Sequence, residues 1–109
     1  MSPSPTVSKA LDQLSTELRR RFADEVVGLW LFGSHARGEA HEGSDVDVLV
    51  LLERPDWMQR RRVLDLAADI GLEHEIELSA TIFDRATWKR WRRQERPLIR
   101  DVERERIAL

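Results

Sequence analysis

The chain has 109 residues, a formal net charge of −2, 41% hydrophobic and 35% charged residues, and no cysteine. That length is one domain, residues 1–109, and the hydrophobic share rules against general disorder, while the absent thiols exclude disulfides, zinc–thiolate sites and a cysteine nucleophile. No run approaches the roughly 18 apolar residues of a membrane helix, MSPSPTVSKA lacks the basic and apolar regions of a secretory signal, and the balanced charge gives no support for direct nucleic-acid binding, so a cytoplasmic protein without membrane contact is expected.

Residues 1–7 hold two prolines and two serines and read as disordered. A helix follows from Ser8 as N-cap, with Leu11, Leu14, Leu18 and Phe22 at helical spacing. VVGLWLF, Val26 to Phe32, is short and apolar and reads as a buried strand ended by Gly33. The stretch GSHARGEAHEGS is loop-like with room for one helical turn. Asp45 to Leu52, DVDVLVLL, is rich in β-branched residues and reads as a second strand. Asp56 to Gly71 reads as a helix with Val63, Leu66, Ala67 and Ile70 inward and Gly71 at its C-terminal stop. Glu75 to Phe83 alternates early and predicts a third strand. Asp84 can cap a helix carrying Trp88 and Trp91, and Pro97 opens a last short one. The expected class is α/β (α+β): a short mixed sheet flanked by helices.

Charge is unevenly spread. Residues 1–84 hold 16 acidic and 9 basic side chains, whereas residues 85–109 hold 4 and 9. A basic segment can meet an anionic ligand or an acidic partner, but a solvated, ion-paired helix is the plainer reading. Trp88 and Trp91 share a helix face and are better suited to packing than to stacking on a base. Trp57 is open to either role. His35 and His41 lie in the loop after Gly33, without the spacing of a metal site.

Chemistry concentrates around the second strand. Asp45 and Asp47 stand at i and i+2, so both carboxylates point to one face of an otherwise apolar strand. Like charges placed so close call for a cation between them, and Mg²⁺ is held by one or two carboxylates plus substrate phosphates. Gly33-Ser34 after a buried strand lets a phosphate approach the backbone and offers it a hydroxyl. Alone, a Gly-Ser pair is only a turn. Glu77 in EIEL can supply a third carboxylate, with Glu75 as the other choice and a solvent-facing strand side as the alternative.

LFGSHARGEAHEGSDVDVLVLL resembles the signature of the DNA polymerase beta-like nucleotidyltransferase superfamily. Its form GSxARGxxxxxSDxD is similar to the small minimal nucleotidyltransferases, and the helix–strand sequel and RPLIRDVERERIAL extend the likeness over nearly the whole chain. The resemblance implies that fold and a set of roles. Gly33, Ser34, Arg37 and Ser44 would serve the triphosphate site, with Arg37 either on the phosphates or bracing the loop. Asp45, Asp47 and Glu77 would be catalytic and ligate two Mg²⁺ ions. The reaction implied is in-line attack on the α-phosphorus of a nucleoside triphosphate, with release of pyrophosphate.

The same resemblance implies a partner. Minimal nucleotidyltransferases are paired with HEPN-class toxins and, as antitoxins, transfer AMP from ATP to a toxin tyrosine. This chain contains no tyrosine, so it cannot be its own tyrosine acceptor. The expected function is therefore protein adenylyltransfer within a hetero-oligomeric toxin–antitoxin pair. The alternatives are a catalytically weak antitoxin that acts by binding alone, because the third acid is a glutamate on an irregular strand, and a transferase acting on a small hydroxylated molecule.

Overall fold

The computed structural model describes residues 4–41 and 43–109. Helix α1 (Pro5–Phe22) begins three residues earlier than Ser8: Ser4 is the cap, its Oγ accepting the Val7 N–H at 3.3 Å, and proline occupies the first turn, where a missing N–H does no harm. Of the expected disordered stretch, residues 1–3 lie outside the described residues and 5–7 are helical. A 3₁₀ turn (Ala23–Glu25) leads into β1 (Val26–Phe32), the short helix α2 (Ser34–Arg37) and β2 (Val46–Leu52). Then come α3 (Trp57–His74), β3 (Leu78–Asp84), α4 (Arg85–Arg93), α5 (Pro97–Glu105) and β4 (Ile107–Ala108).

The sheet is mixed, in the order β3-β2-β1-β4. β1 runs antiparallel to β2 and β4, and β2 runs parallel to β3 across the α3 connection. Period-2 alternation divides β2 between two cores. Val46, Val48, Val50 and Leu52 pack with the inner stripes of α1 and α3. Leu49 and Leu51 join Phe83, Trp88, Ile99 and Val102 under α4 and α5. The helices thus cover both faces, and the expected packing of the aromatic helix is met. Trp88 is buried, stacked on Trp30 with centroids 6.1 Å apart and edge-on to Phe83 at 5.5 Å, while Trp91 meets Phe83 edge-on.

Further boundaries differ from expectation: β2 starts at Val46, leaving Asp45 just before the strand, and α3 and β3 are displaced. α3 continues past Gly71 to His74, and Glu75 takes the left-handed stop at φ 56°. Gly71 stays inside the helix for a packing reason: the chain folds back so closely that a Cβ there would sit 2.8 Å from the Ile76 carbonyl oxygen. The third strand consequently starts at Leu78, leaving Glu75 and Glu77 before it. The terminal Ile107–Ala108 pair was not expected as a strand; it adds to β1 opposite Leu31 and Trp30.

Candidate active site

The Gly33 turn joins β1 to α2, and β2 lies beside it because Phe32 and Asp47 are register partners. Gly33 adopts φ 77°, ψ −156°, a region essentially restricted to glycine. Its missing side chain matters twice, since an added Cβ would collide with Asp47 Oδ2. Backbone and carboxylate are therefore in direct van der Waals proximity at the point where β1 ends.

Asp47 is the half-buried exception in a strand whose other six residues are buried. Burial pushes its carboxyl above the ordinary value, and the charge of neighbouring Asp45 pushes further, while His35 and Arg37 pull the other way. Asp45 lies just before β2 and is exposed. Asp45, His35 and Arg37 are thus all near enough to Asp47 to act on its charge at the N-terminal end of β2.

Ser34 opens α2. Ser44 organises the end of the loop: its Oγ accepts the His41 N–H at 3.0 Å, and its carbonyl lies 3.3 Å from His35 Nε2. Arg37 closes α2, donating from Nε to Glu39 at 2.9 Å and from Nη1 to Glu105 at 3.1 Å. Glu77 stands immediately before β3; its carbonyl accepts the Val46 N–H at 2.8 Å, and its side chain is exposed. The β3 residue in register with Asp47 is Ser79. Among the described residues, no group of three carboxylates or imidazoles stands close enough to hold a metal ion. Asp45 and Asp47 are brought together; Glu77 is not gathered into a preformed triad with them.

Glu105 escaped the sequence reading. Its carboxylate accepts the Gly33 N–H at 3.3 Å as well as Arg37. The available signal was its spacing: Ile99, Val102 and Glu105 continue one inward stripe of α5, so a charge there faces the fold rather than water.

A cleft of about 540 Å³ opens at the opposite end of β2 and β3, lined in part by Glu53, Arg54, Asp56, Asp84, Arg85 and Lys89. Its carboxylates already have structural duties. Asp56 caps α3, Asp84 caps α4 and pairs with Arg60, and Glu53 pairs with Arg85. Trp57, 75% exposed, belongs to that end. About 20 Å of strand separates it from the aspartates, so it cannot stack on a base bound beside them.

Residues 11–109 match the family profile of the nucleotidyltransferase domain. The chain belongs to that family. The nucleotidyltransferase is 57% identical, over 68 residues, to the protein adenylyltransferase MntA of Thermococcus cleftensis, covering 61% of this chain and 67% of that one. It is 30% identical over 78 residues to a Methanocaldococcus jannaschii chain provisionally named a protein adenylyltransferase, covering 71% and 79%. Among solved structures it resembles one described as a minimal nucleotidyltransferase, with a TM-score of 0.63, 27% identity and 95% and 93% coverage. A toxin–antitoxin structure with AMP-PNP shares the fold at a TM-score of 0.58 and 21% identity, covering 89% and 70%. The expected fold and the likeness to minimal nucleotidyltransferases are both met. Among the described residues, no helix is long and apolar enough to cross a membrane.

Proposed function

We propose that this nucleotidyltransferase, a single domain acting in the cytoplasm, transfers AMP from ATP to a HEPN-type toxin and thereby serves as its antitoxin. The observation that carries the reading is Asp47 set against the glycine-restricted Gly33 turn, with Asp45 and Arg37 near enough to act on its charge. Two mutually repelling carboxylates, one held half-buried, fit a divalent cation that takes its remaining oxygens from phosphates. Asp45 and Asp47 would hold Mg²⁺, which when bound neutralises charge on the phosphates and the attacking oxygen.

The residues of the chain supply the rest. Gly33 presents bare backbone, so a triphosphate can lie against the turn without meeting a side chain. Ser34 offers a hydroxyl to a phosphate oxygen, and Ser44 keeps the far end of the loop closed over α2 through His41 and His35. Arg37 supplies fixed positive charge on the side where negative charge builds up during transfer. Glu77, one residue before β3, would swing toward Asp45 as the third acid. The names of the relatives support protein adenylyltransfer over a small-molecule acceptor.

The exposed position of Glu77 favours a second reading, an antitoxin that acts by binding alone. Intact-mass spectrometry separates the two. A HEPN-type toxin incubated with this chain, Mg²⁺ and each NTP in turn should gain AMP from ATP, and the gain should vanish with Asp47→Asn. A stable complex without any mass gain would overturn the catalytic reading.

A further inference from the structure

We infer that Glu105 is a positioning residue of the nucleotide loop: from the end of α5 it holds the Gly33 turn and aims Arg37. The inference rests on the reading of that turn as the nucleotide site.

One carboxylate oxygen, Glu105 Oε2, accepts from both the Gly33 N–H and Arg37 Nη1. The Glu105 side chain is only 12% exposed, against 39% for Arg37, so this pair is better shielded than the surface ion pairs elsewhere on the chain. Glu105 is also delivered by a firmly seated segment. Ile99 and Val102, on the same side of α5, are buried in the core beneath it. On the other side, the Arg106 guanidinium lies 4.8 Å from the Trp30 ring centroid, and Ile107 and Ala108 pair with β1.

The receiving groups need such a hold. Gly33 has the widest backbone freedom of any residue, so the conformation of this turn must be fixed by what its neighbours bond to it. Arg37 divides its guanidinium between two carboxylates: Nε goes to Glu39 and Nη1 to Glu105. Among the described residues no hydrogen bond engages Nη2, which leaves that group for a phosphate. A carboxylate on these donors could instead act as an occupant that a nucleotide must displace. Anchoring on both sides argues for the brace, and the two roles predict opposite changes in affinity.

The test combines calorimetric titration with Mg·ATP and amide hydrogen exchange at Gly33, on wild type, Glu105→Ala, Glu105→Gln, Arg37→Ala and the Arg37→Ala/Glu105→Ala double variant. Glu105→Ala should weaken ATP binding by about tenfold and speed Gly33 exchange by a similar factor. Glu105→Gln keeps an acceptor for the Gly33 N–H, so it should restore the slow exchange but only part of the affinity. Within the Arg37→Ala background, removing Glu105 should weaken binding by less than about threefold, because the two act as a unit. Unchanged Gly33 exchange, or ATP binding equal to or tighter than wild type in Glu105→Ala, would overturn the brace. If wild type itself does not bind Mg·ATP, the nucleotide reading fails, and Gly33 exchange still decides whether Glu105 holds the turn.

Discussion

The two faces of β2 differ at one end of the strand. Toward α1 and α3, Val46, Val48, Val50 and Leu52 are apolar from one end of the strand to the other. Toward α4 and α5 the row reads Asp47, Leu49, Leu51, with a second aspartate, Asp45, just before the strand. One face is apolar throughout; the other turns acidic at its N-terminal end, beside Gly33 and the short α2. The first row seals the seven-residue strand into the core, and the second carries its one acidic residue, Asp47. Asp47, carried on the packed strand, is held more firmly than Asp45, which stands just before it and is exposed.

Breaking each row should therefore give a different failure. On the proposed function, Asp47→Asn should reduce nucleotide transfer by at least about a hundredfold, since it removes one of the two carboxylates that would hold Mg²⁺, and turnover against folded protein is the measurement. Leu52→Ala, at a side chain with no exposure, should cost about 2–5 kcal/mol in denaturant unfolding and leave transfer per folded molecule unchanged. Gly33→Ala lies between the two classes. Its strained backbone should cost about 1–3 kcal/mol, and the collision with Asp47 should weaken ATP binding, which calorimetry and thermal melts would read separately.

A smaller effect sharpens the comparison through pH. Asp47 and Asp84 sit near opposite ends of adjacent strands and are shifted in opposite directions. Folding raises the Asp47 carboxyl, so the native state holds its proton longer than the unfolded chain. Its contribution turns unfavourable as pH rises from the ordinary 3.8 through the raised folded value. Asp47→Asn should thus be more stable than wild type at neutral pH and lose that advantage below the window.

Asp84 behaves oppositely. The Thr87 N–H donates to it at 2.6 Å, and that bond is the first cause of its lowered value. Its stabilisation is present above 3.8 and is lost as pH falls through the lowered folded value. Asp84→Ala should cost about 0.5–2 kcal/mol at neutral pH, as the loss of a helix cap does, and progressively less in acid. Thermal melts across pH 2–7 (roughly the carboxylate range) check both signs.

Much of this was legible from local pattern. The alternation in DVDVLVLL, the apolar VVGLWLF and the stripe Leu11, Leu14, Leu18, Phe22 each report one element's buried side, and each element formed there, with α1 starting earlier, at Pro5, and β2 one residue later, at Val46. The caps Asp56 and Asp84 and the helix-opening Pro97 were equally local. What escaped depends on neighbours distant in sequence. Gly71 reads as a helix stop until the returning Ile76 carbonyl is seen to need its empty side. Glu77 reads as a strand residue until α3 overruns and β3 starts late. Glu105 reads as one charge among many in a basic segment, because its partners lie 72 and 68 positions away. The aspartate pair and the Gly-Ser turn were visible because a single hairpin-like passage, from Phe32 to Asp47, contains them both.

The stacked Trp30 and Trp88 rings give the domain an optical signature of its own. The chain has four tryptophans and no tyrosine, so its near-ultraviolet emission comes from indole alone. Trp30 and Trp88 face each other at 6.1 Å with an interplanar angle of 16°, close enough for their transitions to couple. Trp57, largely in water, supplies a separate signal that soluble quenchers can reach. Near-ultraviolet circular dichroism then reports whether α4 is seated on the sheet, while quenchable emission reports the start of α3. A single unlabelled sample therefore carries two independent gauges of the fold's integrity.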